Sequence, residues 1–400
     1  MLNRAEKQPL CLFIIFSLLL LGASWSWGGF KPPVASDQSS VLHVKDSQAT
    51  VSEKLKVIAS AAGAASPIAT VVEHLHRLNT TNGYLSKDRH KVETNSFWLA
   101  EYNLPWRIQI NPLRGNYMPK LPRYRETLAS QCKICDHNIE SEKKPNLRAY
   151  DFTLNDQKYF LQESPFPMLK NHLVLIPHEH SRMRADQQNV EDGLDFVSQA
   201  PEYTFASNSC YFWTGCSIPG HHHYQAYYSG NEQEKPLPIY LASVALDDEQ
   251  QEMIRYTEDH GVSLSVLHFP AAVVLLAGED TEAIAGQAGQ LIRTWKKKDR
   301  NQNTVNLLIR KKGESYEVRI ILRSARYRPP KHLLSIKSEP MGWLELAGML
   351  VMPQPKTEKI RERLISEGEE TIQDFMRSIN PFKNSQAILE LVEKSLHDSP

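Results

Sequence analysis

His221, His223 and Gln225 alternate along one short stretch, Gly215-Cys216-Ser217-Ile218-Pro219-Gly220-His221-His222-His223-Tyr224-Gln225. In extended backbone, successive side chains point to opposite faces, so these three share one face while His222 and Tyr224 share the other. Two imidazoles and an amide on one face can supply a metal ligand, a nucleophile and a hydrogen-bond donor to a single phosphate group. Tyr224, Tyr227 and Tyr228 favour strand over helix here. The competing reading is a surface histidine tract, inert or an adventitious metal binder. Upstream, Cys132 and Cys135 form a C-x-x-C pair, and His180 closes an apolar strand. Together with His221 they make a suitable tetrahedral shell for structural zinc. A Cys132–Cys135 disulfide is the alternative, which the export-like start of the chain favours.

The elements that must position these groups can be read along the chain. Lys plus Arg balance Asp plus Glu at 46 each, so no global field attracts nucleic acid or a membrane surface. Residues 1–30 carry Arg4 and Lys7, an apolar run from Leu10 to Leu21, then Gly22, Ala23 and Ser24. This is the pattern of a secretory signal, and the run is short of the roughly 20 apolar residues of a spanning helix. Trp25 and Trp27 are compatible with an uncleaved interfacial anchor. The expectation is an exported or membrane-anchored protein, or a cytoplasmic one if the segment is not used. Residues 31–94 read as a linker followed by short helices, with a break at Ser66-Pro67.

From residue 95 the texture becomes that of a folded core. Trp98, Trp106, Ile108 and Ile110 mark a packed element ending at Asn111-Pro112. Strands are expected at 149–154 and 158–163, joined at Asn155-Asp156, and as a four-residue apolar run, 173–176, ended by Pro177, with a helix over 182–200 and a return to the sheet from Tyr203 to Gln225. Beyond residue 237 the pattern starts again. Strands are expected at 238–244, 271–277, 304–310 and 316–322, with helices over 247–260 and 281–298. Ile284, Ala288, Leu291, Ile292 and Trp295 give the second helix its amphipathic spacing. A charged helical tail follows from 357. Strands and helices mix without βαβ alternation, which argues an α+β fold with largely antiparallel sheets. The domain reading is thus a 95–236 lobe carrying the histidine stretch, a 237–356 lobe and a 357–400 tail.

At these residues the chain resembles the galactose-1-phosphate uridylyltransferase branch of the histidine-triad superfamily. The family's G-C-S-x-P segment running into H-x-H-x-Q stands here as Gly215 to Gln225, its C-x-x-C as Cys132 and Cys135, and its D/E-H-S as Glu179-His180-Ser181. Three separated motifs in the expected order are far more specific than any one. Within the superfamily the likeness is closer to GDP-hexose phosphorylase-like proteins. They are matched by an N-P-x-R element at Asn111 to Arg114 and by a basic segment containing Arg323, Arg326 and Arg328. A P-x-x-W element follows at Pro340 to Gly348, containing Glu345. Gly220 is an extra residue between the proline and the first histidine, a spacing those relatives share. Asn208 loosely matches a family asparagine. The resemblance spans roughly residues 95–355 and implies two HIT-like lobes.

The mechanism implied is nucleotidyl transfer through a covalent nucleotidyl-histidine, with His223 as nucleophile and its other ring nitrogen bonded to a backbone carbonyl. Gln225 and Ser217 would donate to the phosphate as charge builds. Asn208, Arg114, Arg323, Arg326, Arg328 and Glu345 are the candidate substrate-binding residues. For each arginine a solvated surface charge is an equal alternative, and for Glu345 a helix-surface carboxylate. The implied partners are a nucleotide sugar and either phosphate or a hexose 1-phosphate, with no nucleic acid, and a homodimer as in uridylyltransferases. Three other readings compete: a catalytically inactive zinc-stabilised protein on the same fold, an exported metal-binding protein using His178, His180, His221 and His223, and a diadenosine polyphosphate phosphorylase.

Overall fold

The computed structural model describes residues 41–63, 66–86, 91–117, 128–230, 235–244, 261–355 and 357–397. The N-terminal apolar segment and the helix expected over 247–260 lie outside them. Two helices come first, α1 (Gln48–Ala61) and α2 (Pro67–Thr81), separated at Ser66-Pro67 as the sequence predicts, because proline fits a first helical turn and not an interior one. A small sheet is built from β1 (Glu93–Leu99), β2 (Leu104–Ile110) and, arriving from far along the chain, β12 (Met349–Met352) parallel to β2.

Among the described residues, the other strands form one nine-stranded sheet. In chain order they are β3 (Tyr150–Leu154), β4 (Gln157–Glu163), β5 (Leu173–Pro177), β6 (Tyr203–Ser207), β7 (Tyr224–Tyr228), β8 (Val262–Val266), β9 (Val273–Gly278), β10 (Asn303–Lys312) and β11 (Ser315–Ser324). Helix α3 (Gln187–Gln199) lies between β5 and β6, and α4 (Thr281–Lys298) between β9 and β10. The sheet order β3-β4-β5-β7-β6-β10-β11-β9-β8 therefore contains one unit twice, hairpin, helix, hairpin. The two copies meet where β6 pairs antiparallel with β10, Ala206 opposite Leu308. The lobes read from the sequence are thus halves of one continuous sheet. The fold is α+β with antiparallel pairing throughout this sheet.

Side-chain alternation gives the sheet two apolar faces. Leu307, Ile309, Tyr224 and Ala226 share a core with α1, α2, α3, α4 and the last helix of the tail, while Leu308, Ala206 and Tyr227 pack with the small sheet and the helices between 331 and 379. Asp280 caps α4 by accepting from the Glu282 and Ala283 amides, and Ile284, Ala288, Leu291, Ile292 and Trp295 are all buried. After β11 come α5 (Lys331–Ile336) and the single turn α6 (Trp343–Leu346). The charged tail forms α7 (Glu358–Ser366), α8 (Gly368–Ile379) and α9 (Ser385–His397). Among the described residues, no helix is long and apolar enough to cross a membrane.

Two local expectations change. Residues 238–244 are a 3-10 turn, Pro238–Tyr240, and a lone bridge from Val244 to Leu267, because Pro238 starts a turn more readily than it joins a ladder. His221 to His223 precede β7, which starts at Tyr224, and the backbone bends at His221. The facing argument survives this change, since His221 meets the cysteine pair while His222 meets the Tyr224 ring on the other face.

Candidate active site and metal centre

The Cys132-Lys133-Ile134-Cys135 turn packs through Ile134 against Phe160 and Ile176 of β4 and β5, on the sheet face that Gln225 shares. This brings both thiols to the histidines. Cys132 Sγ lies 3.2 Å from His221 Nδ1. Cys135 Sγ lies 3.1 Å from His180 Nδ1 and 3.2 Å from His221 Nδ1. All four donor atoms fall within 4.8 Å of one another, a spread that bonds of about 2.0–2.3 Å to one central ion can span. His221 Nε2 donates to the Pro177 carbonyl at 3.2 Å, which turns the Nδ1 lone pair toward the thiols. Burial, then the adjacent Cys132, pushes the Cys135 thiol up to about 12, so two thiolates here call for a cation. Cys132, Cys135, Cys210 and Cys216 are all free thiols. The cluster could hold a metal, and its two-sulfur, two-nitrogen donor set fits zinc. His178 is elsewhere, paired with Asp136 and Asp151.

His223 sits beyond this cluster on the same strand lead-in, only 6% exposed. Its Nδ1–H donates to the His221 carbonyl at 2.9 Å, which leaves Nε2 with the lone pair. Burial lowers its pKa, and the bond to His221 opposes that shift, so the ring is held neutral. Gln225 follows on the same face. Its Oε1 accepts from His172 Nε2 at 2.8 Å and from Trp343 Nε1 at 3.1 Å. His172 takes the Met168 N–H on Nδ1, which leaves its proton on Nε2 for Gln225. With its oxygen held by two N–H groups, the Gln225 amide can only present its NH2 outward as a donor. Burial lowers the His172 pKa to about 4; the Gln225 bond opposes this and Arg114 adds to it. His172 also walls a cavity of about 380 Å3 at the ends of β4 and β5.

The Gly215-to-Gly220 loop is fixed from the C-terminal half of the chain. Gly215 has φ +104, and a Cβ there would lie 2.5 Å from Gly342 Cα, so only glycine permits the approach. Asn208 stands at this junction, Oδ1 accepting from the Trp343 amide at 3.0 Å and from Asn306 Nδ2 at 3.1 Å. Arg323 braces the same two loops, donating to the carbonyls of Met341 and Trp213 at 3.1 and 3.3 Å. Burial lowers its pKa to about 10. Ser217 is half-buried in the loop. Glu345 is buried, accepting the Gly342 amide at 2.9 Å and pairing with the buried Lys337 at 3.2 Å. It is therefore no surface carboxylate. Arg114 acts on His172 from the turn after β2. Arg328 is exposed, with its guanidinium over the Trp213 ring, and Arg326 turns outward to pair with Asp299. The fold thus brings the four metal-ligand candidates, His223, Gln225, Ser217, Asn208, Arg323 and Glu345 into connected surroundings, and leaves Arg326 and Arg328 at the surface.

Sequence reasoning passed over His172, Trp343, Asn306 and Lys337 as site residues. His172 and Trp343 lay inside motifs already singled out, at the start of an apolar strand and within the P-x-x-W element. Nothing in the local sequence marks Asn306 or Lys337.

Residues 80–228 match a family described as a domain of unknown function (DUF4922). The chain is 26% identical over 264 residues to a galactose-1-phosphate uridylyltransferase of Bacillus subtilis, covering 59% of this chain and 49% of that protein. It is 25% identical over 337 residues to one of Clostridium acetobutylicum, covering 75% and 65% respectively. The chain is thus similar to galactose-1-phosphate uridylyltransferases over more than half of its length. The chain spans about half to two thirds of the length of these relatives. Among solved structures, a yeast Ap4A phosphorylase, Apa2, in complex with AMP superposes with a TM-score of 0.50 at 14% identity, over 78% of this chain and 97% of that one. This likeness extends to the fold.

Proposed function

We propose that this chain is a nucleotidyltransferase of the NDP-hexose phosphorylase or hexose-1-phosphate nucleotidyltransferase type, working through a covalent nucleotidyl-His223. The observation that carries the reading is His223, a buried neutral imidazole whose Nδ1–H is committed to a backbone carbonyl, two residues before an amide whose oxygen is committed to two N–H groups. Nε2 attacks the α-phosphorus of a nucleotide sugar; the N–P bond forms, the bridging P–O bond breaks, and the hexose 1-phosphate leaves with the electron pair. The Gln225 NH2 and Ser217 donate to the phosphoryl oxygens as charge develops. A phosphate oxygen then attacks the phosphoramidate, returns Nε2 to its neutral state and gives a nucleoside diphosphate. A hexose 1-phosphate in place of phosphate gives a new nucleotide sugar.

A GDP-hexose is the favoured donor, supported by the Gly220 spacing and by the N-P-x-R and P-x-x-W elements shared with GDP-hexose phosphorylase-like proteins. Zinc is the proposed ion, held by Cys132, Cys135, His180 and His221 and supplying rigidity to the segment before His223. We also propose export or membrane attachment through the N-terminal apolar segment, which fractionation of the native cell would test by recovering the chain outside the cytosolic fraction.

The central test is intact-protein mass after mixing the zinc-loaded protein with a panel of NDP-hexoses without acceptor. A nucleoside monophosphate adduct that maps to His223 and disappears on adding phosphate is expected. His223→Ala should form none while keeping its fold and zinc. No adduct with any donor, or full labelling of the alanine variant, refutes the reading.

A further inference from the structure

His222 points away from the site, yet it is fully buried. Its Nδ1 accepts the Arg184 backbone N–H at a long 3.4 Å, so the ring proton sits on Nε2, which has no hydrogen-bond partner. A buried orphaned donor of this kind is uncommon and calls for a reason. The reason lies in the peptide that joins His221 to His222. Its N–H donates to the Ser181 carbonyl at 2.6 Å, and its C=O accepts His223 Nδ1–H at 2.9 Å. A peptide unit is planar and stiff, so both bonds are properties of one plate. The tilt of that plate sets where the His223 ring aims Nε2.

The plate is anchored through the His222 side chain. Segment 181–184 runs beside residues 219–222, with the Met183 amide on the Pro219 carbonyl at 3.1 Å and the Arg184 amide on His222. The Arg184 guanidinium donates to Asp192 Oδ2 at 3.2 Å, and Tyr224 OH donates to the same oxygen at 2.6 Å. Tyr224 in turn meets the His222 ring edge-on, centroids 4.5 Å apart. Asp192 is itself fully buried and accepts also from Tyr159, Asn155 and Gln188. His222, Arg184, Asp192 and Tyr224 therefore close a ring under the strand, on the face opposite His223.

We propose that His222 is a positioning residue for the transfer step: its buried side chain fixes the tilt of the 221–222 peptide, and that peptide's carbonyl aims the His223 imidazole at phosphorus. This rests on the reading of His223 as nucleophile. The test compares His222→Phe, which keeps ring volume without the acceptor, with His222→Asn, whose amide oxygen can take the Arg184 N–H. Single-turnover labelling of His223, donor KM, zinc stoichiometry and Tm are measured on each. A misplacement of about 1 Å is worth on the order of 10²-fold in rate, so the phenylalanine variant should lose about that much labelling rate with donor KM and zinc close to wild type. The asparagine variant should recover at least about tenfold of it. A wild-type labelling rate in His222→Phe overturns the proposal, as does a loss that merely follows lost zinc or folded fraction. If the unaltered protein forms no adduct, the functional reading has failed, and the geometry is read by NMR instead. The His223 Nδ1–H resonance should shift or vanish in His222→Phe, and an unchanged resonance overturns the inference.

Discussion

Replacing Gln225 by glutamate separates holding from donating. The side chain keeps its length, and a carboxylate oxygen accepts the His172 and Trp343 N–H groups at 2.8 and 3.1 Å as well as an amide oxygen does. The fold should therefore lose little. The other terminal atom changes from an NH2 donor to a carboxylate oxygen that faces the phosphate. Loss of one preorganised donor to developing charge costs about 10²–10³ in rate, roughly 2.7–4 kcal/mol, and the added like charge can only increase this. The assay is quenched single-turnover formation of the His223 adduct at saturating donor, with Tm and zinc content measured in parallel. Trp343→Phe provides the scale for orientation alone. It removes one of the two N–H groups that hold Oε1, a net loss of about 0.5–1.5 kcal/mol, at most about tenfold in rate. A Gln225→Glu rate within about threefold of wild type, in a folded zinc-loaded sample, would sink the donor role.

Three further outcomes follow from the same geometry. Cys132→Ser should lose bound zinc by elemental analysis and lower Tm by several degrees, since a third ligand cannot restore the shell; unchanged metal content refutes the assigned site. Gly215→Ala places a methyl 2.5 Å from the Gly342 backbone at φ +104, so it should cost more than the ~1–2 kcal/mol of left-handed strain alone, read as a lower urea midpoint. Burial lowers the pKa of His223, of His172 to about 4 and of His222 to about 2. The unfolded chain therefore binds protons that the native one does not as pH falls below about 6.5, and stability should drop between pH 7 and 5; a flat urea midpoint across that window contradicts it.

Much of the candidate site's layout was legible in the sequence because it was local. Period-two alternation put His221, His223 and Gln225 on one face, and the C-x-x-C pair with His180 and His221 marked a candidate metal shell beside a disulfide alternative. The α4 stripe, the Ser66-Pro67 break and the Asn155-Asp156 turn were likewise carried by neighbouring residues, and Asn155 and Asp156 take φ +44 and +63 as a tight hairpin requires. Motif order fixed the family likeness. What only the tertiary structure decided is which distant groups complete the site. His172 and Trp343 reach Gln225 across 53 and 118 residues of chain, and Asn306 reaches Asn208 across 98. The four motif arginines look alike in sequence, yet one is buried bracing two loops and another pairs with Asp299 at the surface. Hydrogen-bond partners across a folded sheet depend on register and on which loops meet, and a single sequence records neither.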